Sequence, residues 1–224
     1  MGKLQDFVKD LAGSKHYVLV RYETGHRTEW MDKVTAVKKQ RRLMLNHGEA
    51  CQLISALTAT EKLGGEIAEV GVAYGASAKL LSEYAGSRTL HLFDTFEGLP
   101  APAQNDSDKF VAGQFRTNLE DVRKYLDGGK IQFHQGMFPE TAGPAKHLVF
   151  SFVHLDADLY ESTLEGLKFF YPRLLAGGIL ICHDFLTSDG VNQAFQEFFE
   201  DKLEPVIELT GYQCMIVKIA VAAV

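Results

Sequence analysis

The sequence predicts an α/β fold, a mostly parallel sheet covered by helices on both faces, with a helical segment in front. Strand-like apolar runs alternate with helix-forming stretches from about residue 65 to 200, the pattern of a parallel sheet built from crossover units. The runs at 148–155 and 178–182 are apolar without alternation, as strands covered on both faces are. Residues 1–62, by contrast, read mostly as helices, with Leu43, Leu45, Ala50, Leu53, Ile54 and Leu57 giving a rough helical stripe over 43–60.

The elements follow in order. GGEIAEVGVAYG (64–75) is an apolar run ending in glycines, and ASAKLLSEYA (76–85) forms helix. TLHLFDTF (89–96) is a strand by its apolar and aromatic content. A loop rich in Pro, Asp, Gln and Gly runs from Glu97 to about Gln114, long enough to be a lid or merely surface. NLEDVRKYL reads as helix, KIQFHQG as a short strand, and FPETAG as a turn and short helix. LVFSFVHLDAD is a buried strand, ESTLEGLKFFYPRLL a helix, GGILICHDF a strand and VNQAFQEFFEDKL a helix. The tail should form an antiparallel pair at 205–222 around Thr210-Gly211, closing one edge of the sheet. The organisation expected is a helical cap over 1–60 and one α/β domain over 61–224, together a single structural unit. The aromatic set Phe169, Phe170, Tyr171, Phe195, Phe198 and Phe199 is expected to pack helices rather than bind substrate.

Bulk composition narrows the function. The 224 residues carry a net charge of −6, unevenly spread. Residues 1–50 hold ten bases and six acids, a local charge of +4, which leaves −10 on the other 174. An acidic body does not attract a phosphate backbone, so no nucleic-acid partner is expected. The basic run from Lys33 to Arg42 is expected either to be a solvated helix face or to pack across an acidic mouth or bind an anionic acceptor. Cys51, Cys182 and Cys214 are too few and scattered for a disulfide framework or a zinc ribbon. No apolar run approaches the ~18 residues a membrane helix needs, so no membrane partner is expected. MGKLQDFVKD has neither the apolar core of a signal peptide nor a Ser or Thr at Asp6 for myristoylation. The expected setting is the cytoplasm.

Two motifs carry chemistry. In Glu69-Val70-Gly71-Val72-Ala73-Tyr74-Gly75 a strand ends in a glycine turn that opens a helix. Gly71 and Gly75 let the backbone turn tightly and approach a ligand, and the helix N-terminus offers free N–H groups. Asp94 ends the next strand, where an acid can accept hydrogen bonds from ribose hydroxyls. A nucleoside-bearing cofactor follows. The second glycine of a dinucleotide fingerprint is replaced by Ala73, and Glu69 at the loop's start suits a cationic ligand better than a diphosphate. Ala73 thus disfavours a nicotinamide-dependent oxidoreductase.

The second motif joins two strand ends, His154-Leu155-Asp156-Ala157-Asp158 and His183-Asp184. Neighbouring parallel strands deliver their C-terminal ends to one edge. Asp156, Asp158, His183 and Asp184 should therefore converge. Carboxylates so close repel unless a cation or shared proton relieves them, and a hard divalent ion such as Mg²⁺ is a natural occupant.

The glycine loop resembles the first motif of class I S-adenosylmethionine-dependent methyltransferases. EIAEVGVAYGAS, LFDTFEGLP, GMFPET, HLDADLYEST and LLAGGILICHDF together resemble the macrocin O-methyltransferase-like group of that class. The likeness runs from about Gly65 to Phe199. It implies the Rossmann-like class I methyltransferase fold, a seven-stranded sheet with an antiparallel edge strand. It also implies an S-adenosylmethionine-dependent, Mg²⁺-assisted O-methyltransferase acting on a hydroxyl of a small-molecule sugar or natural-product intermediate. Carried onto this sequence, Glu69, Gly71 and Gly75 line the methionine and ribose part of the cofactor, and Ser77 binds its carboxylate. Asp94 holds the ribose hydroxyls, and Gly136 and Phe138 border the adenine. Asp156, His183 and Asp184 fall at the metal ligands, and Asp158 at the general base.

One departure matters. Sugar-methylating members have two adjacent Asp residues where this chain has His183-Asp184. Imidazole is a poorer ligand for Mg²⁺ than for a borderline transition ion. His183 then ligates a different metal, sits beside the ion, or marks weaker metal dependence. Catechol-type O-methyltransferases share the metal geometry but carry a Lys where this chain has Leu159, which lowers the catechol reading and leaves other phenols and enediols open. A non-catalytic cofactor-binding protein has no need of Asp156, Asp158 and Asp184. The helical front end is compatible with a homodimer.

Overall fold

Residues 25–220, with positions 13 and 15 before them, are described by the structure, a computed structural model. The cap expected over 1–60 is thus seen from Gly25 onward. Its earlier part and the last two positions of the expected edge pair, 221–222, lie outside the described residues.

Helices α1 (His26–Gln40) and α2 (His47–Ala59) precede the sheet. Asn46 caps α2: its side chain accepts the Glu49 N–H at 3.0 Å, while the Glu49 carboxylate accepts the Asn46 N–H at 2.7 Å. This reciprocal pair satisfies two donors that a helix start leaves unbonded. The alternation then begins with β1 (Glu66–Val70), α3 (Ala76–Glu83), β2 (Leu90–Asp94), α4 (Leu119–Tyr125) and β3 (Ile131–Gln135). It continues through β4 (Phe150–Leu155), α5 (Tyr160–Phe170), β5 (Leu174–Cys182) and α6 (Asp189–Phe199), and ends in the strands β6 (Ile207–Glu208) and β7 (Cys214–Val217).

The seven strands lie in the order β3-β2-β1-β4-β5-β7-β6. The first five are mutually parallel, and β7 is antiparallel to both β5 and β6. The tail therefore inserts β7 beside β5 and leaves the two-residue β6 outermost. β5 starts at Leu174, earlier than the glycines that suggested its start, because the chain is already extended after the 3₁₀ turn Tyr171–Arg173.

Side chains alternate between two cores. Ile67, Leu90, Leu92 and Ile181 join Trp30, Val34, Leu53, Leu57 and Leu80, so α1 to α4 cover one face. Ala68, Val70, Phe93, Val153 and Leu180 join Leu167, Phe170, Phe195 and Phe199, so α5 and α6 cover the other. All six residues of β4 are buried, which explains its unbroken apolar pattern. The aromatic set packs as expected, with Phe170 stacked on Phe138 at 5.6 Å and Phe195 on Phe199 at 5.7 Å.

The sheet reverses its order between β1 and β4, and the crevice beyond such a reversal is where open α/β sheets bind ligands. Val70 lies opposite Leu155, so Gly71 and Asp156 leave the sheet side by side. Gly71 has φ +86°, and a Cβ there would come 1.8 Å from the Asp156 carbonyl oxygen. Only glycine fits that approach.

Candidate active site

Beyond β1, β2, β4 and β5 lies a cavity of about 500 Å³. Gly71, Asp94, Gly136, Phe138, Asp156, Asp158, His183 and Asp184 all line it. Of the residues singled out in the sequence, Glu69, Gly75 and Ser77 are not on its wall. Gly75 has φ +79° and turns the chain into α3, packed on Val122. Glu69 is wholly buried and faces sideways, its Oε1 2.8 Å from His154 Nδ1 on β4. Burial raises the Glu69 carboxyl above its ordinary value, opposed by His154. Two residues back along their strands from Gly71 and Asp156, this pair ties β1 to β4 beneath the crevice.

Asp94 has a structural part besides its place on the wall. Its Oδ2 accepts the N–H groups of Val72 and Ala73 at 2.6 and 2.9 Å, and its Oδ1 accepts that of Phe96 at 2.6 Å. It holds the glycine loop in shape and, having about four acceptor positions, keeps capacity for one donor more. A nucleoside fits this wall: exposed glycine backbone at Gly71 and Gly136, a partly free carboxylate at Asp94, and the ring of Phe138.

Asp156, His183 and Asp184 each bring a ligand atom to within 4.8 Å of the others. His183 Nδ1 lies 2.8 Å from Asp184 Oδ2 and 3.4 Å from Asp156 Oδ1. Burial alone would discharge the imidazole, but Asp156, Asp184 and Glu49 outweigh it and raise its pKa. Burial would likewise raise Asp184, yet His183, Thr187 and Lys109 bring it down to about 2. Asp158 is driven the other way, well above the ordinary range, by burial and then by Asp156 and Asp184. Neighbouring carboxylates with such divided affinities for a proton mark acid–base positions. Asp158 and Asp184 also adopt positive φ, 63° and 60°, a conformation that costs non-glycine residues energy and recurs at functional sites. Two carboxylates and an imidazole within reach of one point fit a divalent cation.

Three residues on this site carry no readable signal of it in the sequence. Lys109, from the 97–114 loop, places Nζ 3.5 Å from Asp184 Oδ1 and 3.1 Å from the Thr187 carbonyl. Glu49 reaches His183 from α2, its Oε2 3.8 Å from Nε2. Tyr212, in the β6–β7 turn, sets its ring edge-on to His183 at 6.3 Å. The spacing Asn46-x-x-Glu49 is the signature of a helix cap, and says nothing of a neighbour of the acids.

The long loop does border the cavity, through Leu99, Pro100, Phe110, Gln114 and Phe115. It is fastened at its neck, where Leu99 N–H donates to Gln114 O and Gly113 N–H to Leu99 O, both at 2.9 Å. Farther along, Asp106 Oδ1 accepts the Tyr160 N–H at 2.7 Å. The basic front end is divided: Lys33 pairs with Glu83, Arg41 pairs with Asp121 while lying over the Tyr125 ring, and Arg42 lies over the Tyr74 ring of the glycine loop. Lys109 is the lysine that pairs with Asp184 at the acidic mouth. No helix among the described residues is long and apolar enough to cross a membrane.

Comparison with known proteins agrees with this architecture. The chain is 26% identical over 151 residues to demethyldecarbamoylnovobiocin O-methyltransferase of Streptomyces niveus, covering 60% of this chain and 58% of the relative. It is 30% identical over 138 residues to 8-demethyl-8-(2,3-dimethoxy-alpha-L-rhamnosyl)-tetracenomycin-C 4'-O-methyltransferase of Streptomyces olivaceus, covering 54% and 53%. The matches thus span a little over half the length of these relatives. Among solved structures, the O-methyltransferase NovP superposes with a TM-score of 0.71 at 20% identity, over 80% of this chain and 82% of that one, a likeness of fold. The profile of the macrocin-O-methyltransferase (TylF) family matches residues 21–213. That is most of the chain, and with the crevice and carboxylates just described it leads to one assignment: this chain belongs to the macrocin-O-methyltransferase (TylF) family.

Proposed function

We propose that this protein is an S-adenosylmethionine-dependent O-methyltransferase, assisted by a divalent cation, acting on a hydroxyl of a small-molecule sugar or natural-product intermediate. The observation that carries the reading is the convergence, in one cavity, of the glycine loop and Asp94 with Asp156, Asp158, His183 and Asp184. The two Streptomyces relatives, named for O-methyl transfer, support the reaction class. When bound, the cofactor supplies an electrophilic sulfonium methyl and the cation lowers the pKa of an acceptor hydroxyl.

The chain's own residues do the rest. Gly71 exposes backbone to the cofactor, Asp94 accepts from one ribose hydroxyl, and Gly136 and Phe138 border the adenine. Glu69 and Ser77 support the loop from behind it. Asp156, His183 and Asp184 hold the cation. Asp158 accepts the acceptor's proton as the new C–O bond forms and the methyl leaves sulfur. Its raised proton affinity suits it to a base, since a carboxylate of ordinary pKa is a weak one. The loop wall of Leu99, Phe110 and Phe115 keeps water from the transfer, and the acceptor enters beside Lys109. The described part of the cap, α1 and α2, acts as one unit with the sheet, since α2 supplies Glu49 to the site.

The test is turnover on deoxysugar-bearing and phenolic acceptors, read by the mass gain of one methyl. Asp158→Asn should abolish turnover and leave S-adenosylhomocysteine affinity within about twofold. Retained turnover moves the base elsewhere. Full activity in EDTA removes the cation from the reaction.

A further inference from the structure

Among the described residues, Glu49 is the acid beside His183 that comes from outside the sheet edge, and it is held tightly. It is 1% exposed. Oε2 accepts the Asn46 N–H at 2.7 Å, and Oε1 accepts the Tyr212 N–H at 2.8 Å. A Cβ on Gly211 would come 2.2 Å from Oε1, so the β6–β7 turn is shaped around this carboxylate. Gln52, one turn along α2, fastens the same hairpin by donating to the Thr210 carbonyl at 3.0 Å.

Oε2 also lies 3.8 Å from His183 Nε2, a buried nitrogen with no hydrogen-bond partner. A move of ~0.9 Å would make that an N–H···O bond. The opposite ring nitrogen, Nδ1, faces Asp184 and Asp156. The imidazole is therefore strung between an immobilised carboxylate behind it and two cavity-facing carboxylates in front, with Tyr212 against its side.

We infer that Glu49 is a positioning residue for His183, directing Nδ1 into the Asp156–Asp184 gap, and that the site so built prefers a borderline transition ion to Mg²⁺. The inference rests on the cation reading proposed above. An imidazole nitrogen that ligates a metal must offer its lone pair, so the proton sits on the other nitrogen and needs an acceptor. Glu49 is that acceptor, and the two backbone N–H groups keep it from swinging into the metal position itself. A donor set of one imidazole nitrogen and two carboxylates suits Co²⁺, Fe²⁺ or Zn²⁺, whereas Mg²⁺ favours oxygen throughout. The alternative is that Glu49 only caps α2 and clamps the hairpin, with no bearing on the ion.

The experiment titrates the full chain, saturated with S-adenosylhomocysteine, with CoCl₂ and with MgCl₂. It follows calorimetric affinity and the visible absorption of bound Co²⁺. The wild type should bind Co²⁺ at least about tenfold more tightly than Mg²⁺. Glu49→Gln should weaken Co²⁺ by about 10–100-fold and leave S-adenosylhomocysteine affinity unchanged. His183→Asp should narrow the Co²⁺-over-Mg²⁺ ratio by at least about tenfold and abolish the Co²⁺ effect of Glu49→Gln. Unchanged Co²⁺ affinity in Glu49→Gln, or equal losses for both ions, overturns the positioning role. If Glu49→Gln loosens the hairpin, His183→Asp decides, because it keeps both backbone bonds to Glu49; an undiminished Co²⁺-over-Mg²⁺ ratio overturns the inference. Binding of neither ion by the wild type overturns the cation reading itself, a distinct outcome.

Discussion

Gly71 and the Glu69–His154 pair show how single side chains set the crevice. At Gly71 the φ is +86°, and the Asp156 carbonyl oxygen lies only 1.8 Å from where a Cβ would stand, so no side chain fits. Gly71→Ala should cost more than about 1 kcal/mol from the backbone conformation alone, and it should push Asp156 away from His183. A fall in melting temperature together with lost S-adenosylhomocysteine binding is the expected result; an unshifted melt would show that the loop can relax. Glu69 and His154 are both wholly buried, with Glu69 Oε2 and His154 Nε2 lacking hydrogen-bond partners. Removing one member strands the other, at roughly 3–5 kcal/mol for Glu69→Ala or His154→Ala. Replacing both with Leu and Phe should cost less than either alone, which denaturant titrations in a double-mutant cycle would show.

Strands β2 and β3 carry a histidine pair, remote from the cavity's acids. His91 Nδ1 and His134 Nε2 lie 3.0 Å apart on adjacent strands, and His134 stacks on Phe93 at 4.3 Å. Burial lowers the pKa of both; His134 lowers His91 further, and Glu66 partly opposes this. The folded state therefore prefers both rings neutral, while the unfolded chain protonates them near pH 6.5. Their contribution to stability is complete above about pH 6.5 and is lost as the pH falls through the depressed folded values. Melting temperature should drop on that acid limb in the wild type. The drop should be smaller in a His91→Phe, His134→Phe variant. Equal slopes would assign the acid sensitivity to other groups. The pattern KIQFHQG reveals a strand, but pairing of His134 with His91 requires the register Phe93↔His134, which no local pattern encodes.

Across the whole molecule, the front helices complete the core rather than decorate it. Val34, Leu53, Ile54 and Leu57 are fully buried with Ile67, Leu80 and Leu81. A chain starting at residue 61 would leave α3 and α4 to cover that face alone and would expose the apolar surface that α1 and α2 now bury. It is expected to be insoluble or to lack a cooperative melt, whereas the intact chain should melt in one transition. A cooperative melt of 61–224 alone would show the first helices to be a separable cap. The same dependence links the front of the chain to the chemistry, because α2 brings Glu49 to His183.

Local sequence patterns dictate the alternation of elements, the glycine turn at Gly71 and the gathering of Asp156, Asp158, His183 and Asp184 at one edge. These follow from local rules: periodicity of apolar residues, the conformational freedom of glycine, and the geometry of adjacent parallel strands. Such patterns also place the tail as an antiparallel pair, though not β7 inside β6. Only the tertiary structure decided that Glu69 faces His154 rather than the cavity, and that Asp94 holds the glycine loop. It also decided that Lys109 and Glu49 are the charged neighbours of the acids, 75 and 134 residues away in sequence from Asp184 and His183. Such contacts depend on which strands and helices meet and on how far one buried side chain is turned, and a linear pattern carries neither.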